Sequence, residues 1–224
     1  MDIKMNVPME KLIEDINRNR DLLECIVEYI SDKEILDKVI KEAICNSAIT
    51  FSNLPENLKT EEICKIAVTA NGCALNYVPW NLRTKELCEI AVSKDGYAIN
   101  YVPEQLMSED MIKLAVSEVG MALEFIPFNM INEEIVKLAV SNNGLALDYV
   151  PERMITEEIV KLAISNNGLA LDYVPFNMIT EEIVKLAVST NNFILECISK
   201  YKIELIKYRY KIDIESIVKE FKKR

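Results

Sequence analysis

Two kinds of side chain recur in this sequence where helix packing alone gives little reason for them. Immediately after six prolines stand Glu56, Trp80, Glu104, Phe128, Glu152 and Phe176, acid and aromatic alternating with a period of 48 residues. Trp80, Phe128 and Phe176 fall in polar turns, and such rings belong to the residue class that anchors protein interfaces. The competing reading is that each ring packs on its neighbour's turn. The second recurrence is one polar position filled by Asn76, Asn100, Glu124, Asp148, Asp172 and Glu196. Repeated carboxylates steer a basic partner surface, or imitate a phosphate backbone and occupy a nucleic-acid-handling protein. Their plainer reading is a solvated face that keeps the chain from aggregating. A third recurrence, Tyr77, Tyr101, Phe125, Tyr149 and Tyr173, resembles a base-stacking ladder. These rings lie between Leu and Val, so packing between units is the expectation, with the hydroxyls reaching the surface.

Catalytic chemistry is hard to place. The 224 residues include no histidine, which removes the commonest general base, the Ser-His and Cys-His pairs and the usual zinc ligand sets. No Gly-rich phosphate loop, serine elbow or metal-ligand spacing occurs. Paired acids such as Glu133-Glu134 recur in most units, whereas a catalytic pair occurs once. Cys64 and Cys88 stand where other units carry Ile112, Val136, Val160 and Val184, and Cys73 stands where Leu145 and Leu169 do. Cys25 and Cys197 take the tyrosine place of the ladder, and Cys45 lies in a more degenerate stretch. All six read as core, and unpaired thiols fit a reducing compartment. The expectation is a non-catalytic protein with no cofactor and no metal.

Charge and hydropathy narrow the partners. The chain has 26 basic and 36 acidic residues, is half hydrophobic, and has a mean hydropathy of +0.07, which excludes a disordered tail. No apolar run approaches the roughly 18 residues of a membrane span, and Met1-Asp2-Ile3-Lys4 lacks a signal pattern. A cytoplasmic chain without membrane contact is expected. Residues 55–198 hold 10 basic and 21 acidic residues, the wrong sign for direct nucleic-acid binding by this stretch. Residues 199–224 are basic, 9 against 4 acidic; they suit phosphate binding, and equally solubility or self-contact.

The elements that position these residues follow from one repeat. Pro55, Pro79, Pro103, Pro127, Pro151 and Pro175 are spaced by 24, as are Gly72, Gly96, Gly120, Gly144 and Gly168. Asn192 takes the next glycine place. In unit 151–174, Thr156 is a helix N-cap, with counterparts Thr60, Thr84, Ser108, Asn132 and Thr180. Glu157 and Glu158 follow at the positive end of the helix dipole. Ile159, Leu162 and Ala163 make an apolar face, and Lys161 pairs with Glu157 four residues back. Asn167-Gly168 stops the helix, with glycine expected in the left-handed conformation. In Leu169–Val174, Leu169, Leu171 and Tyr173 alternate as in a strand, but the recurrent Ala170 favours a short helix of about six residues. Units of this size cannot bury their apolar faces alone, so they must stack.

The rhythm Glu-Ile-Val-Lys-Leu-Ala-Val-x-x-Asn-Gly-x-Ala-Leu-x-Tyr, closed by Pro-x-Asn-Leu/Met, resembles a known group of short tandem repeats of unknown function. That group is common in giant DNA viruses, amoeba-associated bacteria and some phages. The resemblance spans residues 55–198 and weakly reaches residue 20. It implies a helical solenoid and no agreed activity. Together with the spacing, the expected fold is all-α. Residues 1–54 would be degenerate capping repeats, 55–198 six 24-residue helical hairpins, and 199–224 a basic cap of one or two helices. The expected function is binding of a partner protein through Trp80, Phe128 and Phe176, with Glu124, Asp148 and Asp172 steering. The alternative is an acidic decoy of the viral or phage counter-defence kind.

Overall fold

The computed structural model describes residues 9–18, 30, 32–46, 48–190 and 200–221. Every regular element among them is helical. In chain order the α-helices are α1 (Met9–Arg18), α2 (Lys33–Asn46), α3 (Ala48–Ser52), α4 (Glu61–Ala70), α5 (Lys85–Lys94), α6 (Glu109–Glu118), α7 (Glu133–Asn142), α8 (Glu157–Asn166), α9 (Glu181–Thr190), α10 (Lys200–Tyr208) and α11 (Ile214–Phe221). The fold is an all-α repeat solenoid. It divides into two compact units, Met1–Met111 and Ile112–Arg224. Cys25, Asn192, Glu196 and Cys197, named above, lie outside the described residues.

The anticipated caps form. Thr60, Thr84, Ser108, Asn132, Thr156 and Thr180 each accept a hydrogen bond from the backbone N–H three residues on, at 3.0–3.3 Å. This satisfies one of the donors a helix start leaves over. The second segment of each unit is helical but wound as a 3-10 helix, for example Gly168–Tyr173. Ala170 N–H donates to Asn167 O and Val174 N–H to Leu171 O, three residues back in each case. A further 3-10 turn follows each proline, such as Glu152–Met154. The unit is therefore a ten-residue α-helix, a six-residue 3-10 helix and a three-residue turn. Its core repeats accordingly: in the first unit Ile63, Cys64, Ala67 and Val68 from α4 bury with Ala74, Leu75 and Val78.

The glycines need correcting. None has a positive φ, so the left-handed stop does not occur. The helix instead ends at an extended residue such as Asn167 (φ −147°, ψ 112°), whose side chain accepts from Leu169 N–H at 3.0 Å and starts the 3-10 helix. Glycine is required for space. A Cβ at Gly144 would lie 2.2 Å from Ala163 O in the next repeat's helix, and one at Gly168 2.4 Å from Ala187 O. The repeats thus stack backbone against backbone. In the second unit Asn142 and Asn166 lock this contact. Gly144 N–H donates to Asn166 Oδ1 at 2.7 Å, while Asn166 Nδ2 donates to Ser141 O at 2.7 Å.

Lysines bridge the helix starts. Lys137 pairs with Glu133 of its own helix at 2.8 Å and with Glu158 of the next at 2.9 Å, and Lys161 does the same with Glu157 and Glu182. Such exposed pairs contribute about 0–1 kcal/mol each. At the ends, α3 and the turn after it bring Phe51 and Leu54 into the first unit's core, and α11 packs Ile214, Ile217 and Val218 beside α9.

The close approach gives the first prediction. Gly144→Ala is expected to lower the unfolding free energy by about 2 kcal/mol or more, because the clash is with backbone that cannot rotate aside. Urea denaturation of the variant beside the parent chain measures it.

Candidate partner-binding surface

Trp80, Phe128 and Phe176 each open the 3-10 turn that follows a proline, and all three are exposed. Trp80 is 68% exposed, Phe128 70% and Phe176 38%. The proline fixes the ring's place by holding φ near −55°. It also removes a donor. The 3-10 pattern would bond Asn76 O, Glu124 O and Asp172 O to the N–H three residues on, but those residues are Pro79, Pro127 and Pro175.

In the first unit a guanidinium takes up this carbonyl and two beside it. Arg83 donates from Nε to Val78 O at 2.9 Å, from Nη2 to Asn76 O at 3.1 Å and from Nη1 to Tyr101 O of the next repeat at 2.8 Å. Its Cζ lies 4.4 Å from the centre of the Trp80 ring. In the second unit an ammonium does the same from a different part of the chain. Lys202 of α10 donates to Asp172 O at 3.3 Å and Val174 O at 2.5 Å, with Nζ 4.5 Å from the Phe176 ring centre. Burial pushes Lys202 down to about 8, partly offset by Asp172. The basic tail thus makes a contact within the chain, one of the alternatives its charge left open. One repeat earlier than Arg83, Lys59 is buried and paired with Glu56 at 2.7 Å.

Around Phe128 the same walls enclose a groove of about 610 Å³ in the second unit, bounded by the turns 123–128 and 148–152. Glu124 and Asp148 line it and are exposed, while Asp172, outside it, is half-buried. Tyr149, also lining it, has its phenol pushed up by burial first and then by the neighbouring Glu124 carboxylate, to which it is hydrogen-bonded.

The tyrosine ladder is packed in part: Tyr101, Phe125 and Tyr149 are half-buried, while Tyr77 and Tyr173 are exposed at 46% and 39%. Cys64 and Cys88 are core residues as expected, and burial pushes each thiol up to about 11. Cys73 is half-buried and donates to Asp95 at 3.0 Å; burial and then Asp95 push it up to about 12. Cys45 is exposed, contrary to the core expectation, because α2 turns Ala43 and Ile44 to the core and leaves the next position outside it. Arg83, Lys202 and the two locking asparagines went unnoticed in the sequence. The available signal was that Lys59 and Arg83 occupy a repeat position that is otherwise Met107, Ile131, Ile155 and Ile179.

Two outcomes follow from the occupied carbonyl sites. Arg83→Met is expected to cost about 1–3 kcal/mol of stability by leaving three carbonyls without their donor. Phe128→Ala, at an exposed ring, is expected to stay within about 0.5 kcal/mol. A denaturation series settles both. For Lys202, whose value in the folded chain lies below the unfolded one, the native state holds fewer protons between about pH 8 and 10.5. Parent stability is thus expected to rise relative to Lys202→Met across that window. A parent stability that stays level or falls relative to Lys202→Met as pH rises contradicts it.

Comparison with known proteins agrees with the repeat. The family described as Domain of unknown function (DUF4116) matches residues 32–83, 84–131, 132–179 and 156–203. Its unit is thus two 24-residue repeats, the 48-residue period of the turn aromatics. No curated protein and no solved structure matches the chain. With residues 32–203 of 224 matched in tandem, the chain belongs to this family of helical repeats of unknown function.

Proposed function

We propose that the chain is a non-catalytic interaction solenoid that binds a partner protein through its proline-bounded turns. Trp80, Phe128 and Phe176 anchor the partner, and Glu124, Asp148 and Asp172 steer it and select for basic surfaces. The observation that carries this reading is Phe128. A 70% exposed phenyl ring on a proline-fixed turn, beside an acidic groove, is apolar area held ready for a partner. Rigid placement matters because a ring already fixed in position loses little entropy on binding.

The decoy alternative draws less support from the same surface. A phosphate mimic needs uncompensated carboxylates, yet Glu133, Glu157 and Glu158 are each paired with a lysine bridging two repeats or turning back on its own helix. What remains acidic clusters beside an aromatic ring, which suits a protein groove better than a polyanion mimic.

The test is affinity capture from lysate of the native host, with mass spectrometric identification. Three baits run side by side: the parent chain, Phe128→Ala, and the Trp80/Phe128/Phe176→Ala variant, each confirmed folded by circular dichroism. The expected result is one specifically captured protein, weakened by the single change, lost with the triple one and retained at high salt. Capture that survives the triple change but is lost at high salt overturns this reading in favour of the acidic decoy.

A further inference from the structure

We infer that the groove at Phe128 is a receptor for a basic side chain, arginine or lysine, supplied by a partner protein. The inference rests on the protein-binding reading above and adds the chemistry of the contact. Its basis is that the same walls are seen filled twice within this chain. Arg83 bonds Asn76 O, Val78 O and Tyr101 O and stacks on Trp80. Advancing each of these by 48 residues gives Glu124, Ile126, Tyr149 and Phe128, and all four line the groove. Advancing by 96 gives Asp172, Val174 and Phe176, which Lys202 fills from α10.

The two internal occupants come from unrelated places, one from the turn itself and one from a helix some thirty residues downstream. What they share is a cation with N–H donors, so the preference belongs to the site and not to the occupant. The reasons are physical. Pro127 has no N–H for Glu124 O, and Glu124 lines the groove, as Asn76 lines the site where Arg83 takes up the matching carbonyl. The Phe128 ring adds its negative face, to which cations are attracted. The local residue that would close the site from within is absent, because Ile131 stands in Arg83's place. Among the described residues no cation lies over Phe128. The charge around it is also more negative than around the Arg83 site. Asn76 and Asn100 become Glu124 and Asp148, and Glu152 lines the far wall.

The probe is the tripeptide acetyl-Gly-Arg-Gly-amide, titrated into the ¹⁵N-labelled full chain while amide shifts are followed. Its control replaces arginine by citrulline, which keeps the shape and loses the charge. The expected result is saturable shifts confined to residues 123–128 and 148–152, with citrulline binding about tenfold more weakly. Phe128→Ala is expected to weaken arginine binding about fivefold or more. Ile131→Arg, confirmed folded by circular dichroism because Ile131 is buried, is expected to abolish it by closing the site from within. Shifts that scatter over the acidic surface, equal binding of citrulline, or undiminished binding by Phe128→Ala overturns the inference. Because no partner is needed, failure here with protein capture intact sinks the receptor chemistry and leaves the protein-binding reading standing.

Discussion

Where the 3-10 segment of one repeat meets the α-helix of the next, an alanine carbonyl stands 2.2–2.4 Å from the point a Cβ would occupy on Gly72, Gly120, Gly144 and Gly168. Nothing but a hydrogen fits there. The contact fixes the distance between successive repeats at the backbone, so it leaves little freedom for side chains to renegotiate. Everything else in the unit is arranged around it. The small residues Ala91, Ala139, Ala163 and Ala187 occupy the helix face at this crossing, and the branched residues on either side fill the remaining core. Where Asn142 and Asn166 are present, they bond the glycine N–H and a preceding carbonyl at once. A repeat built this way tolerates drift on its outer face while its stacking geometry is retained, which is how worn and near-identical units coexist in one chain.

The same economy creates the chemistry of the turns. A 3-10 helix of six residues ends at proline, and proline both stops the winding and withholds the N–H that the carbonyl three residues earlier would take. Each unit therefore presents an electron-rich rim at the same place. Water satisfies such a rim at little cost when it is exposed. A cation with an aromatic lid does so more strongly, and the chain supplies one at Trp80 and at Phe176. The alternation of acid and aromatic after the prolines follows this logic. At Glu56 the neighbouring Lys59 is held by a carboxylate, and at Trp80 the neighbouring Arg83 is held by a ring. These are two ways of placing a cation beside one kind of turn.

Much of the fold was legible because repetition multiplies weak signals. A single Thr before Glu-Glu is a modest N-cap signal, but six caps at one spacing fix six helix starts, and each forms. The role of glycine was misread because a conserved spacing does not separate two needs, a positive φ and room for a neighbour. Sequence shows only that a Cβ is missing. The alanine at Ala170 marks Gly168–Tyr173 as helical, but nothing in the residue types separates a 3-10 winding from an α-helix. The exposed turn rings were legible, since a proline-bounded polar turn has little core to offer them. Their cations were not. Arg83 lies three residues from Trp80, but its acceptors come from two repeats, and Lys202 reaches Phe176 across 26 residues of sequence.

On the proposed reading, alternation explains a 48-residue period laid over a 24-residue fold. Stacking needs only the shorter period, since every unit repeats the same glycine, proline and capping residues. A surface that placed a ring after every proline would be a continuous apolar strip, and strips of that kind recruit copies of the same chain as readily as a partner. Alternating ring and carboxylate keeps each aromatic isolated between charges, so a ligand must satisfy both to gain from either. In the second unit this puts Phe128 between the acids Glu124 and Glu152, with Asp148 alongside. A neutral apolar surface gains the ring but strands the carboxylates, and a simple cation gains the carboxylates but covers little of the ring. A basic side chain with a long aliphatic stem satisfies both, as Arg83 and Lys202 already do from within.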